Sequence, residues 1–109
     1  MNSPMNGIIP GDRVIFRDGD RFRVARVDLV SGNYATGFPF DPARGDWARR
    51  NRRIPASFIL AKLPKGKPAA PIAARIEALH QEREARRQEA NHWLREAVGE
   101  LVTREARRS

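Results

Sequence analysis

The sequence predicts an α+β chain: a small antiparallel β-barrel over residues 8–63, a Pro/Gly linker over 64–71 and a long C-terminal α-helix over 72–108. Three observations predict it. The acidic residues divide the chain, all six Asp lying before residue 47 and all seven Glu after residue 76. Asp favours turns and caps through local backbone hydrogen bonds, whereas Glu is a good helix former. All five Phe and the only Tyr fall in the first part. Between the parts runs Leu63-Pro64-Lys65-Gly66-Lys67-Pro68-Ala69-Ala70-Pro71, which can continue neither a strand nor a helix.

The elements follow in order. Residues 1–7 are expected to be a flexible N-terminus. Val14-Ile15-Phe16 follows Pro10-Gly11-Asp12 and runs into Asp18-Gly19-Asp20, a hairpin signal. The next strand, Arg21 to Val30, has Phe22 and Val24 on one face and then switches phase to Val27 and Leu29 across Ala25-Arg26. A one-residue switch of phase is what a β-bulge produces. Ser31-Gly32-Asn33 makes the next turn. Tyr34 to Phe40 is a third strand, which Gly37 and Pro39 mark as kinked or at an edge. After a long polar loop come Arg52-Arg53-Ile54, a turn of 3₁₀ helix at Pro55 to Ser57, and a last strand up to Leu63.

From Ile72 onward there is no proline, and Ala, Glu, Arg, Leu and Gln dominate. Pro71 suits a first helical position, where its missing N–H costs nothing. Ile72, Ile76 and Leu79 are spaced as one helix face, and Ala90, Trp93 or Leu94, Ala97 and Leu101 resume the spacing. An unbroken helix to Arg107 would be about 54 Å long, about twice the width of a barrel this small. The helix is therefore expected to be uninterrupted or once bent, with Asn91-His92 as the place for a break. Its apolar residues exceed what a solvated helix needs. Ile72, Ile76, Leu79, Trp93, Leu94 and Leu101 are thus candidates for binding a partner or a second copy.

The first part resembles small SH3-like barrels of the Tudor or KOW type. The residues that carry the resemblance are Pro10-Gly11-Asp12-Arg13-Val14, the glycine turns near 19 and 32, and Ile54-Pro55-Ala56-Ser57-Phe58-Ile59. Domains of that shape bind nucleic acid, peptides or proteins, so the resemblance implies a fold and not a function. Tyr34, Phe38, Phe40 and Trp47 are enough for an aromatic cage, but they are read first as core, because so small a barrel has few other large residues to fill it.

Composition narrows the function. The chain has 109 residues, no cysteine, 21 Lys+Arg against 13 Asp+Glu, and a formal charge of +8. Eighteen of the basic residues are Arg. Charge is spread over both parts, +5 over residues 1–64 and +3 over 65–109. The absence of Cys excludes a disulfide scaffold, a thiolate zinc site and a Cys nucleophile. No apolar run approaches the roughly 18 residues of a membrane span, and Met1 to Pro10 do not read as a secretory leader. A cytoplasmic protein is expected. His80 and His92 stand twelve apart without carboxylates at metal-ligand spacing, and there is no Gly-rich phosphate loop or nucleophile elbow. Neither an enzyme nor a metal or cofactor is expected.

The informative cluster is Asp46-Trp47-Ala48-Arg49-Arg50-Asn51-Arg52-Arg53, with Arg44 upstream. Four Arg in five positions repel one another unless an anion joins them. Guanidinium forks match phosphates, and Trp47 offers a flat surface that stacks on bases or braces the loop. Ala48 to Arg53 resembles part of the arginine-rich peptide of lentiviral Rev, which implies an anionic partner. Gly45 and Pro55 leave no room for a long helix of that kind. The competing account is a solvated loop with Trp47 tucked against the barrel. Arg21 and Arg23, with Arg13, Arg17 and Arg26, form a second strip on the first hairpin, alternating with Phe22 and Val24 and partly neutralised by Asp18, Asp20 and Asp28. On the helix, Glu82 and Arg86 stand at a pairing distance of four, and Arg104, Arg107 and Arg108 complement the helix dipole.

The expected function is a non-enzymatic nucleic-acid-binding module. Arg44, Arg49, Arg50, Arg52 and Arg53 would meet phosphates with Trp47, Asn51, Arg21 and Arg23 beside them, and the helix would serve self-association or partner docking. The alternative is a protein-interaction regulator or inhibitor, of the kind phages and plasmids encode, that binds an acidic protein. A third reading is a structural subunit whose helix drives oligomers.

Overall fold

The computed structural model describes residues 7–108; of the expected flexible N-terminus only Gly7 lies among the described residues. The chain is α+β, an antiparallel six-stranded sheet followed by one helix. The strands are β1 (Arg13–Asp18), β2 (Arg21–Ser31), β3 (Tyr34–Asp41), β4 (Asp46–Trp47), β5 (Arg52–Pro55) and β6 (Ile59–Lys62). A 3₁₀ turn (Ala56–Phe58) separates β5 from β6, and α1 spans Ala69–Arg108. The ladder runs β4-β3-β2-β1-β6, and β5 pairs with β3 beside β4.

Local chemistry explains the turns. Ile9-Pro10-Gly11-Asp12 is closed by the Asp12 N–H donating to the Ile9 carbonyl at 3.0 Å, with Gly11 at φ +94°. Proline presets the second position of such a turn, and the positive φ that follows needs glycine. The Asp12 carboxylate then accepts the Ile9 N–H at 3.0 Å, so the buried acid locks the turn that starts the sheet.

Both faces of the sheet carry buried residues, and this corrects the phase assigned to β2. Val14, Phe16, Ala25, Val27, Ala35 and Ile54, with Ile8 and Ala56, make one buried cluster. On the opposite face Val24, Phe40 and Leu63 pack with Ala69 and Ala73 of α1, joined by Ile15, Trp47, Ile72 and Ile76. Val24 and Val27 are therefore buried on opposite faces, with no bulge between them. The register shift falls at Asp28, where Val27 pairs with Gly37 and Leu29 with Thr36. The bulge exists but sits beyond Ala25-Arg26, because the apolar run there reflects two covered faces.

Tyr34, Phe38, Phe40 and Trp47 do not fill the first of these clusters, which aliphatic side chains and Phe16 occupy. Phe40 is buried on the α1 side, Trp47 is half-buried edge-on to it at 5.3 Å, and Tyr34 and Phe38 are half-buried. The alternation of β3 decides this: Ala35, Gly37 and Pro39 turn inward, so Tyr34, Thr36, Phe38 and Phe40 turn outward.

The helix starts three residues earlier than expected and runs unbroken through Asn91-His92. Pro71 is its third residue, a position whose N–H has no intrahelical acceptor, so it does not interrupt the helix. Burial of Ala69 and Ala73 with partial burial of Ile72 and Ile76 is worth about 3–5 kcal/mol. That outweighs the exposed pair of Arg21 with Glu77, worth about 0.5 kcal/mol, in fixing these first turns on the sheet. Ile72 and Ile76 thereby pack in part on the chain's own sheet. Residues 78–108 form a separate unit. Within it Glu82 pairs with Arg86 as the spacing predicts, Glu84 with Arg87 and Glu105 with Arg108. Leu79, Trp93, Leu94, Val98, Leu101 and Val102 are all more than half exposed.

Candidate functional site

The arginines of the predicted cluster separate into three environments, which the strand geometry dictates. Arg52 pairs with Gly37 and Arg53 with Thr36, so their side chains leave opposite faces of β5. Arg52 donates to Asp18 Oδ2 at 2.7 Å and lies over the Phe16 ring at 6.0 Å. Arg23 donates to the same oxygen and to the Phe40 carbonyl, both at 3.4 Å. The Arg52 hydrogen bond holds the Asp18 carboxyl below the usual carboxylate value, against partial burial and helped by attraction to Arg52 and Arg23. Arg52 is raised in return, chiefly by that bond.

Arg53 behaves differently. Its guanidinium lies 4.4 Å from the Tyr34 ring centroid. Across β3, Arg26 pairs with Phe38 and lies 5.7 Å from that ring and 5.4 Å from Trp47. Tyr34, Thr36 and Phe38 thus form a row on the outer face of β3, flanked by Arg53 on β5 and Arg26 on β2 and ended by Trp47. Trp47 braces this face: one ring edge meets Phe40, and a guanidinium covers its plane.

Arg44, Arg49 and Arg50 are exposed and, among the described residues, have no carboxylate partner. Arg49, Arg50 and Asn51 occupy a short loop whose two ends are fixed to β3. The Ala48 N–H donates to the Pro39 carbonyl at 2.7 Å, and Arg52 is in register with Gly37. Arg44 lies in the Asp41–Gly45 turn, where the Gly45 N–H donates to the Asp41 carbonyl at 2.9 Å.

Of the second strip, Arg21 and Arg23 are engaged internally, Arg21 with both oxygens of Glu77 at 2.8 Å and Arg23 with Asp18. Arg23 stands on the side of Ala25 and Val27, and Val24 faces α1. The sequence reading missed the pairing of Arg26 with Phe38 and of Arg53 with Tyr34. The signal was present in β3 as small residues at 35, 37 and 39 between larger ones at 34, 36, 38 and 40.

Among the described residues no group of His, Cys, Asp or Glu is arranged to hold a metal ion, and no helix is long and apolar enough to cross a membrane. The chain matches no protein-family model, and comparison with curated proteins and with solved structures returns no match.

Proposed function

We propose that the chain is a non-enzymatic, cytoplasmic nucleic-acid-binding module in which Arg49 and Arg50, with Arg44 nearby, contact backbone phosphates. One observation carries this reading: Arg49 and Arg50 are exposed, have no carboxylate partner among the described residues, and are held on a loop pinned at both ends to β3. Fixed, uncompensated cations beside a face that already bears Arg26 and Arg53 favour a polyanion, and a net charge of +8 favours it at long range. Arg52 and Arg23 contribute by shaping that edge of the sheet, because Asp18 already partners them. An SH3-like barrel is the reading of the sheet that fits best. Its end strands β5 and β6 are joined by a 3₁₀ turn, and one of its faces is buried without a second layer over it, as in a sheet curled on itself.

Phosphate contacts position a protein without reading sequence. Titration of mixed-sequence DNA and RNA at about 50 and about 200 mM salt is expected to show affinity falling by orders of magnitude. The doubly substituted R49A/R50A chain is expected to bind more weakly with a shallower salt slope. Equal affinity and an equal slope would refute the role of the loop.

A second reading, a regulator that sets its basic face against an acidic protein and α1 into an apolar groove, is favoured by Trp93, Leu94, Val98, Leu101 and Val102, all at least half exposed on a ten-residue stretch. A nuclease-insensitive, stoichiometric protein in a pull-down would support it. Sedimentation over a range of concentrations separates that partner from a second copy of the chain.

A further inference from the structure

We infer that the outer face of β3 binds unpaired bases, so that the polyanion this chain takes is a single strand and not a duplex. The inference rests on the nucleic-acid reading above and adds the substrate class. Tyr34 and Phe38 are four residues apart on one strand face, about 13 Å by strand rise, with Thr36 between them. Both rings are half-buried, as is Trp47 beside Phe38. Half-buried rings in such a row are open to a cover on their outer side. In the free chain that cover is cationic: Arg53 over Tyr34 at 4.4 Å, and Arg26 between Phe38 and Trp47 at 5.7 and 5.4 Å.

Guanidinium groups set over aromatic rings form a surface that is polarisable and positive at once. An unpaired nucleotide matches it on both counts, with its base against ring or guanidinium plane and its phosphate toward the fork. A duplex does not, because its bases are stacked on one another and offer only edges and phosphates. The loop bearing Arg49 and Arg50 stands beside the same stretch of β3, since its ends are tied to Pro39 and Gly37. Phosphates flanking the stacked bases therefore fall within reach of the two uncompensated arginines. Such a face tolerates any base, because every base has a π surface.

The test uses the full chain and three probes of about 12 nucleotides, a length one small fold can cover: a mixed-sequence single strand, its duplex, and a strand of equal charge built from abasic residues. Anisotropy at one moderate salt is expected to give about tenfold or greater preference for the single strand over both others. Quenching of Trp47 fluorescence is expected with the base-bearing strand and not with the abasic one, with Trp93→Phe used so that a single tryptophan reports. The Y34L/F38L chain is expected to lose most of that preference while keeping its duplex affinity. The abasic comparison needs no substitution, so it decides the matter even if that variant folds poorly. Equal affinity for the base-bearing and abasic strands overturns the inference and leaves phosphate binding standing. Failure to bind any of the three overturns both.

Discussion

Asp18 Oδ2 lies 2.7 Å from Arg52 Nη1, joining the β1–β2 hairpin to β5 across 34 positions of sequence. One of the four crowded arginines is thus neutralised by the chain's own carboxylate, and Arg23 adds a second guanidinium at 3.4 Å. The crowding that suggests an external anion is partly resolved inside the fold. What remains for a ligand is narrower than the sequence cluster and better defined.

The first prediction follows from that carboxylate. Asp18 has its folded pKa depressed below 3.8, chiefly by the hydrogen bond from Arg52. A group of this kind stabilises the fold fully above its unfolded value and loses that contribution as pH falls through its folded value. Arg52 is 46% exposed, so solvent screens the pair and the contribution is about 0.5–1 kcal/mol. Asp18→Asn is therefore expected to lower stability by that amount at pH 7 and by almost nothing well below pH 3.8. Urea melts at both pH values check this; a difference that persists unchanged in acid would be inconsistent with the linkage.

A second prediction concerns space. A Cβ on Gly37 would stand 2.8 Å from the Arg26 carbonyl oxygen, a backbone atom that cannot move aside without opening the ladder. Gly37 is also in register with Val27 on one side and Arg52 on the other, next to the bulge at Asp28. Gly37→Ala is expected to cost about 1–3 kcal/mol, as overpacking does. Thermal unfolding by circular dichroism measures it, and an unchanged midpoint would mean that the strands part more easily than their packing implies.

How far the sequence foretold this structure depends on the period read in each segment. The α+β division was legible because Asp and Glu separate cleanly and because Pro64 to Pro71 interrupt both periods. The hairpins were legible from Gly19 and Gly32, both of which take positive φ. The outer row of β3 was not, because counting large aromatics treats Tyr34 and Phe38 as core. Their alternation with Ala35, Gly37 and Pro39 places them outside. Nor was the second covered face: Val24 looks like a strand residue out of phase until α1 is known to lie over it. Pairings such as Asp18 with Arg52 lie outside local periodicity altogether, since they depend on β5 returning to β3.

A third prediction tests the turn that starts the sheet. Asp12 is 8% exposed, its carboxylate accepts the Ile9 N–H, and Lys62 Nζ lies 3.7 Å away. Asp12→Ala leaves a partly buried N–H without its acceptor, a loss of about 1–3 kcal/mol. Asp12→Asn restores an acceptor oxygen and is expected to recover most of it. Denaturant midpoints for the two variants distinguish the hydrogen bond from the charge, for equal losses would assign the effect to the ion pair with Lys62.

The arginines themselves supply the last prediction, because their three environments give opposite outcomes. Arg49→Ala with Arg50→Ala removes exposed side chains that no acid among the described residues holds, so the fold should be unchanged to within about 0.5 kcal/mol. The slope of log affinity against log salt is expected to drop by about 1.5, near the value for two lost phosphate contacts. Arg52→Ala should do the reverse. It leaves Asp18 with Arg23 alone, lowering stability by about 0.5–1 kcal/mol, while the salt slope barely moves. Arg53→Ala falls between them, exposing the Tyr34 ring and weakening single-strand binding more than duplex binding. Denaturation and salt titration of these three chains read out both axes together. If Arg52→Ala cuts the salt slope as deeply as the double substitution, then Asp18 releases its partner on binding, and the division of labour drawn from the free chain is wrong.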